Sequence, residues 1–185
     1  MTGGRAVVHG GDLTYSISAP IDKRLFSGSI YRNYENISRA FIIGLRSIGL
    51  PIEVQRKTLS GRELKKPSCF GAVSFSEITV HGKKVIGSAQ KKWHDAIMQQ
   101  GSIMMDINRQ ELCEIFNIEK HSGIGGLREF MPSLSIEALK RAIIDGFNEA
   151  FGVEMVRGEP TEDELNMAVE LRDKKYSLHT WNYRR

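Results

Sequence analysis

The stretch KPSCFGAVSFSEITVHGKKVIGSAQ, Lys66–Gln90, decides the reading of this chain. Pro67 restricts the backbone just ahead of Cys69 and leaves that thiol in a loop. An alternating run follows, with Phe75, Glu77 and Thr79 set against Ser76, Ile78 and Val80. A period of two is the pattern of a half-buried strand. His81-Gly82 supplies a tight turn, because glycine takes positive φ without strain. A second strand carries Lys83, Lys84, Val85 and Ile86. It is expected to run out at Gly87-Ser88-Ala89, where small side chains let another group approach the backbone. Folded as a hairpin, the stretch can bring a thiol and a lysine from its two ends to one site.

Upstream of it, a strand is expected over Leu13–Ser18, after the glycine-rich opening that contains Gly3, Gly4 and His9. Ser29–Gly49 reads as a helix, since Tyr34, Ile37, Phe41, Leu45 and Ile48 recur at spacings of three and four. Ser29 can cap its start, Gly49 its end, and Pro51 prevents continuation. Ile52–Gln55 is a short strand, and the basic run Arg56–Lys66 is an exposed loop. Downstream, Lys91–Asp95 reads as a polar turn. Ile97–Gln100 and Ser102–Asp106 read as a strand pair broken at Gly101, and Asn108–Phe116 as a short helix. Ser135–Phe151 is a second amphipathic helix closed by Gly152, and Thr161–Glu164 is a capping box that starts a third. This order predicts one α+β domain over residues 1–185, with helices packed on a mixed β-sheet.

The 185 residues suffice for one core, and the net charge of +4 is mild. The basic residues are scattered, without the concentrated stripe of a nucleic-acid binder, so no nucleic-acid partner is expected. A mild positive surface favours an acidic protein partner. Cys69 and Cys113 are too few for a disulfide scaffold and lack zinc-ligand spacing, so no metal site is expected. Cys113 reads as a small core or interface residue. The sequence shows neither a secretory leader pattern nor an apolar run of membrane length. The expected compartment is the cytoplasm, with no membrane partner.

Cys69 and Lys84 carry the chemistry. A thiol becomes a good nucleophile on ionisation, and a neighbouring cation favours the thiolate. Lys83 and Lys84 point to opposite faces of a strand, so only one of them can face inward. An inward Lys84 could stabilise the Cys69 thiolate and orient an acyl carbonyl, an arrangement suited to thioester exchange. The alternative on residues alone is an inert loop cysteine and a solvated lysine.

Thr2-Gly3-Gly4-Arg5-Ala6-Val7-Val8-His9 resembles the glycine-rich motif of the lipoate–protein ligase and biotin ligase superfamily. Cys69-Phe70, Ser74 to Glu77 and Gly82 to Gln90 resemble its cysteine-dependent octanoyltransferase branch, and the similarity extends to Asp173–Tyr176 and Trp181–Arg184. The resemblance implies a lipoate/biotin protein ligase-like domain that moves octanoyl from acyl carrier protein to a lysine of a lipoyl domain, such as the glycine cleavage H protein. It implies that Cys69 forms the thioester and that Lys84 lowers the thiol pKa and binds the acyl carbonyl. Gly3, Gly4 and His9 would line the acyl tunnel, with Gly87, Ser88 and Ala89 also at the substrate, and no metal, ATP or other cofactor would be needed. Relatives usually carry His-Gly where this chain has Gln100-Gly101. They also begin further upstream, so the domain is expected to be N-terminally incomplete, with a separate N-terminal segment as a further partner. An ATP-dependent ligase, and an inactive half-enzyme that only binds acyl chain or lipoyl domain, are the other readings.

Overall fold

A computed structural model describes residues 7–22, 24–26, 29–56, 75–117 and 123–183. The chain forms two compact units, Met1–Glu154 and Met155–Arg185.

The first unit has the expected α+β architecture, with its strands divided between two three-stranded sheets. Strand β1 (Asp12–Pro20) pairs antiparallel with β6 (Ala96–Met104), which pairs antiparallel with β5 (Ile86–Lys92). Strands β2 (Ile52–Arg56), β3 (Phe75–Val80) and β4 (Lys83–Lys84) form the second sheet in that order. Helix α1 (Ile30–Ser47) begins at Ser29, whose Oγ accepts from the Arg32 N–H at 3.4 Å, and Gly49 follows it at φ +90°. Helix α2 (Arg109–Phe116) is capped by Asn108, and α3 (Ile136–Phe151) runs from Ser135 to Gly152 at φ +61°.

Val85 stitches the sheets together. Its N–H donates to the Ile78 carbonyl of β3 at 3.1 Å, and its carbonyl accepts from the Met104 N–H of β6 at 2.9 Å. The strand after the His81-Gly82 turn therefore does not run out at Gly87-Ser88-Ala89, as expected from the small residues. It crosses at Val85 and continues as β5 through those residues. Their small size fits pairing within a sheet, with Gly87 opposite Ser102 and Ser88 opposite Gly101.

Two further expectations are corrected. Ile97–Asp106 is not a strand pair around a turn, because β6 runs unbroken through Gly101. That glycine makes room for a ring: a Cβ on it would lie 2.6 and 3.0 Å from carbons of Tyr15. β3 is buried on both faces, with Glu77, Ile78, Thr79 and Val80 all at 4 % exposure or less. Alternation had suggested one wet face; instead its polar side chains bond inside the protein, Glu77 Oε1 accepting from Lys84 Nζ and the Thr79 hydroxyl donating to the Glu53 carbonyl at 3.4 Å.

The core lies between the sheets and the pair α1 and α3. Ile37, Phe41 and Leu45 of α1 are buried as their spacing predicts. The Phe41 ring meets Tyr15 at 4.7 Å and Phe147 edge-on at 5.2 Å. The two helices cross on small residues, Ala40 and Gly44 against Ala142 and Gly146. A Cβ on Gly146 would lie 2.6 Å from the Gly44 nitrogen and 2.8 Å from its Cα, and neither backbone atom can turn aside.

In the second unit, α4 (Glu162–Leu171) is capped reciprocally, as its sequence predicts. The Thr161 N–H donates to Glu164 Oε2 at 2.7 Å and the Glu164 N–H to Thr161 Oγ1 at 3.3 Å. A π-helical turn (Arg172–Tyr176) and the short α5 (His179–Asn182) follow. Trp181 packs edge-on to Tyr176 at 5.4 Å, with the Lys175 ammonium 4.5 Å from its ring centroid.

The crossing sets up a contest of magnitudes. Alanine gains up to about 1 kcal/mol over glycine in a helix interior, whereas overpacking a well-filled site costs about 1–3 kcal/mol. Gly146→Ala should therefore destabilise the protein by about 1–2 kcal/mol in denaturant unfolding. Gly123→Ala, where a Cβ would meet nothing within 4 Å, should stay within about 0.5 kcal/mol of the parent.

Candidate active site

The hairpin turn determines which lysine faces in. His81 and Gly82 both have positive φ, 47° and 72°, the backbone of a two-residue turn whose twist matches the strands. It sets Val80 opposite Lys83 and Thr79 opposite Lys84. Lys83 turns outward, where its Nζ donates to Glu129 Oε2 at 2.9 Å and lies 5.7 Å from the Phe130 ring centroid. Lys84 turns inward and is 3 % exposed.

Its ammonium donates to Glu77 Oε1 at 2.5 Å, a diagonal contact across the hairpin between two buried side chains. The backbone of Lys84 is held too: its N–H donates to the Gly123 carbonyl at 2.9 Å, and its carbonyl accepts from the Gly125 N–H at 3.0 Å. Sequence reasoning set Glu77 on a strand and gave it no role. Register would have found it, since the residue two before Thr79 shares the face of Lys84.

The other expected site residues divide. Cys69, Gly3 and Gly4 lie outside the described residues. Gly87 is buried, while Ser88 and Ala89 are half-buried on β5. The Ser88 Oγ lies 2.6 Å from the Tyr15 hydroxyl, and the Gln99 Nε2 donates to the same hydroxyl at 3.0 Å. Burial pushes the Tyr15 phenol above its ordinary pKa, and its hydrogen bonds to Ser88 and Gln99 offset only part of that.

His9 stands apart from the hairpin face, in a cleft of about 220 Å³ lined by Val8, Gly11, Met104, Asp106 and Leu112 among others. Its Nδ1 pairs with Asp12 Oδ2 at 2.7 Å. Asp12 also accepts from the Ser102 hydroxyl and, at 3.2 Å, from the Gly10 N–H. Burial opposes ionisation of Asp12, but the bonds from Ser102, His9 and Gly10 outweigh it and hold the carboxyl below its usual pKa. Beneath the cleft, Met104, Leu112 and Ile124 pack with Val7, Val8 and Phe116. Ile124 also bridges to the Lys84 backbone, so this small apolar cluster joins the segment of His9 to the strand of Lys84. Cys113 is half-buried.

Among the described residues, no group of three or more His, Cys, Asp or Glu is placed to hold a metal ion. Among them, no helix is long and apolar enough to cross a membrane.

Two sheets joined at Val85, one residue after the buried Lys84, with Gly10-Gly11 leading into the first strand, are the frame of a protein-ligating catalytic domain. The chain belongs to the family described as the lipoyl protein ligase A/B catalytic domain, whose model matches residues 1–148. Among curated relatives, it is 34% identical over 202 residues to "Octanoyltransferase LipM" of Kyrpidia tusciae, covering 100% of this chain and 73% of that one. It is 32% identical over 197 residues to the protein of the same name from Carboxydothermus hydrogenoformans, covering 99% and 72%. Among solved structures it is similar to a protein of T. acidophilum assigned to the lipoate protein ligases, with bound lipoic acid. That match has a TM-score of 0.79 and 26% identity, over 98% of this chain and 69% of the other. A bi-partite lipoate protein ligase from Thermoplasma acidophilum shares the fold at a TM-score of 0.68 and 20% identity, covering 93% of this chain and 64% of that one.

Removing one member of a buried ion pair costs about 3–5 kcal/mol, whereas replacing both by apolar groups is often neutral. Lys84→Met should therefore destabilise the protein by about 3 kcal/mol in denaturant unfolding, and Lys84→Met with Glu77→Leu should recover most of it. For Asp12 the sign follows from its lowered pKa. Its contribution is present above the unfolded-state value and is lost as pH falls through the folded value. The unfolding midpoint should decline as pH drops below about 4, and less steeply in Asp12→Asn.

Proposed function

We propose that this chain is an octanoyltransferase of lipoate biosynthesis acting through a Cys69 thioester. The observation that carries the proposal is the buried Lys84 ammonium, at the position where family resemblance puts the lysine that serves the thiol. Its support is the likeness over the full chain to proteins named octanoyltransferase LipM.

The donor in this reading is octanoyl-acyl carrier protein, and the acceptor is a lysine of a lipoyl domain such as the glycine cleavage H protein. Cys69 loses its proton and its sulfur attacks the octanoyl carbonyl. The bond from that carbon to the carrier's sulfur breaks, and the carrier's thiolate takes up a proton. The acceptor lysine, as the neutral amine, then attacks the Cys69 thioester; an amide bond forms, and the Cys69 sulfur leaves and takes up the proton the amine gives up. Lys84 favours the thiolate and donates to the acyl oxygen as negative charge develops there. Gly3, Gly4 and His9 line the acyl tunnel, and Gly87, Ser88 and Ala89 shape the substrate side of β5. The acyl group arrives already activated as a thioester, so the reading needs no metal or nucleotide. Residues 1–185 belong to a single catalytic domain, in the cytoplasm.

The likeness to a ligase structure with bound lipoic acid supports a second reading, in which ATP activates the free acid and the thiol is dispensable. One experiment separates them. With octanoyl-acyl carrier protein, the parent should gain one octanoyl mass on Cys69 and pass it to a lipoyl domain. Cys69→Ser should lower that transfer by about 10³-fold or more. ATP-dependent octanoylation of the lipoyl domain, undiminished in Cys69→Ser, would establish the ligase instead.

A further inference from the structure

Lys83 and Lys84 are consecutive, and each meets a carboxylate on its own face of β4. Inside, Lys84 meets Glu77. Outside, Lys83 Nζ donates to Glu129 Oε2 at 2.9 Å. Strand β4 is two residues long and pairs with β3 through Val80 opposite Lys83 and Thr79 opposite Lys84. On its other edge, the Lys84 N–H and carbonyl bond to Gly123 and Gly125.

Glu129 also grips the segment that supplies those two bonds. Its Oε1 accepts from the Gly126 N–H at 3.0 Å. Arg109 Nη2, from α2, donates to both Glu129 oxygens, at 2.6 and 2.8 Å, and to the Ile124 carbonyl at 3.2 Å. One carboxylate therefore gathers β4, the first turn of α2 and the 124–126 backbone. The parts lie close together: a Cβ on Gly125 would sit 2.9 Å from the Lys83 Cβ. Burial opposes ionisation of Glu129, but the bonds from Gly126, Lys83 and Arg109, with the Arg109 charge, outweigh it and hold the carboxyl below its ordinary pKa. At neutral pH the clamp is charged.

We propose that Glu129 is a positioning residue for Lys84, an inference that rests on the transferase reading above. It acts through Lys84 and takes no proton. From outside the strand it pins the neighbouring lysine, and it holds the 123–126 segment against the Lys84 backbone. The Lys84 side chain then leaves the backbone at one fixed point and in one direction. A cation that serves a reaction gains from this, because a misplacement of about 1 Å can cost about 10²-fold in rate.

The test reads Glu129→Ala by amide hydrogen exchange, by denaturant unfolding and by steady-state octanoyl transfer. The Lys84 and Gly125 amides should exchange about 10-fold faster while those of β6 keep their rates, the mark of a local loosening. kcat should fall by about 10–100-fold, with little change in KM for octanoyl-acyl carrier protein. Glu129→Gln keeps an oxygen for the Gly126 N–H and loses only the charge. It should move both readings in the same direction by less, and it carries the test if Glu129→Ala does not fold. Arg128→Met is the control. It breaks the neighbouring bond to Asp106 and leaves the Glu129 clamp in place, so kcat should stay within about twofold. Unchanged kcat in Glu129→Ala, a loss confined to KM, or an equal loss in Arg128→Met would overturn the role of Glu129. So would exchange that quickens throughout the first unit together with a lower unfolding midpoint, since that is lost stability and not lost positioning. The exchange reading needs no turnover, so the two failures can be told apart. A parent that forms no Cys69 adduct defeats the transferase reading, whatever the amides show. A parent that forms the adduct while the Lys84 and Gly125 amides ignore Glu129→Ala defeats the role of Glu129 alone.

Discussion

A lysine ammonium held in the interior against a carboxylate is the constraint around which the first unit is arranged. Moving either charge out of water alone costs several kcal/mol, and the pair is tolerable only with near-ideal geometry. The 2.5 Å contact of Lys84 with Glu77 meets that demand. Among the described residues, the backbone around it is held by a two-residue turn, a partner strand, and the 123–125 segment bonded to both sides of Lys84.

The same economy of motion appears in the first sheet. Val85 carries the chain from one sheet to the other by bonding to both, so the strand that bears Lys84 continues directly into the strand that bears Ser88. Gly101 opens a gap in the middle strand and Tyr15 fills it. Its ring is pressed from behind by Phe41, which in turn meets Phe147 of α3. The close crossing of α1 and α3 on glycine and alanine draws these aromatic rings together. Helix packing thereby reaches the Tyr15 hydroxyl of the first sheet through a chain of ring contacts.

Much of the fold was legible because it is encoded locally. The caps Ser29, Asn108, Ser135 and Thr161 each satisfy helix N–H groups from within three residues, so their places follow from sequence alone. The apolar spacing of Ile37, Phe41 and Leu45 marked the face that is buried. Gly87 and Gly101 misled for one reason. A glycine inside an apolar run can mark a turn or admit a neighbour, and the sequence does not name the neighbour. At Gly101 the neighbour is Tyr15, more than eighty residues away in the chain. Glu77 was given no role because alternation reports polarity and is silent about whether a buried partner waits opposite.

By itself, the sequence determined the α+β class, the helix boundaries, the turn at His81-Gly82 and the choice of Lys84 over Lys83 as a residue worth following. Each of these depends on neighbours a few positions away, or on a family pattern written in contiguous residues. Only the tertiary structure decided that Lys84 is paired with Glu77, that β5 belongs to a different sheet from β4, and that Ser88 is held by Tyr15. Those facts depend on which distant strands lie side by side, and strand pairing is set by how the whole core closes rather than by any one segment.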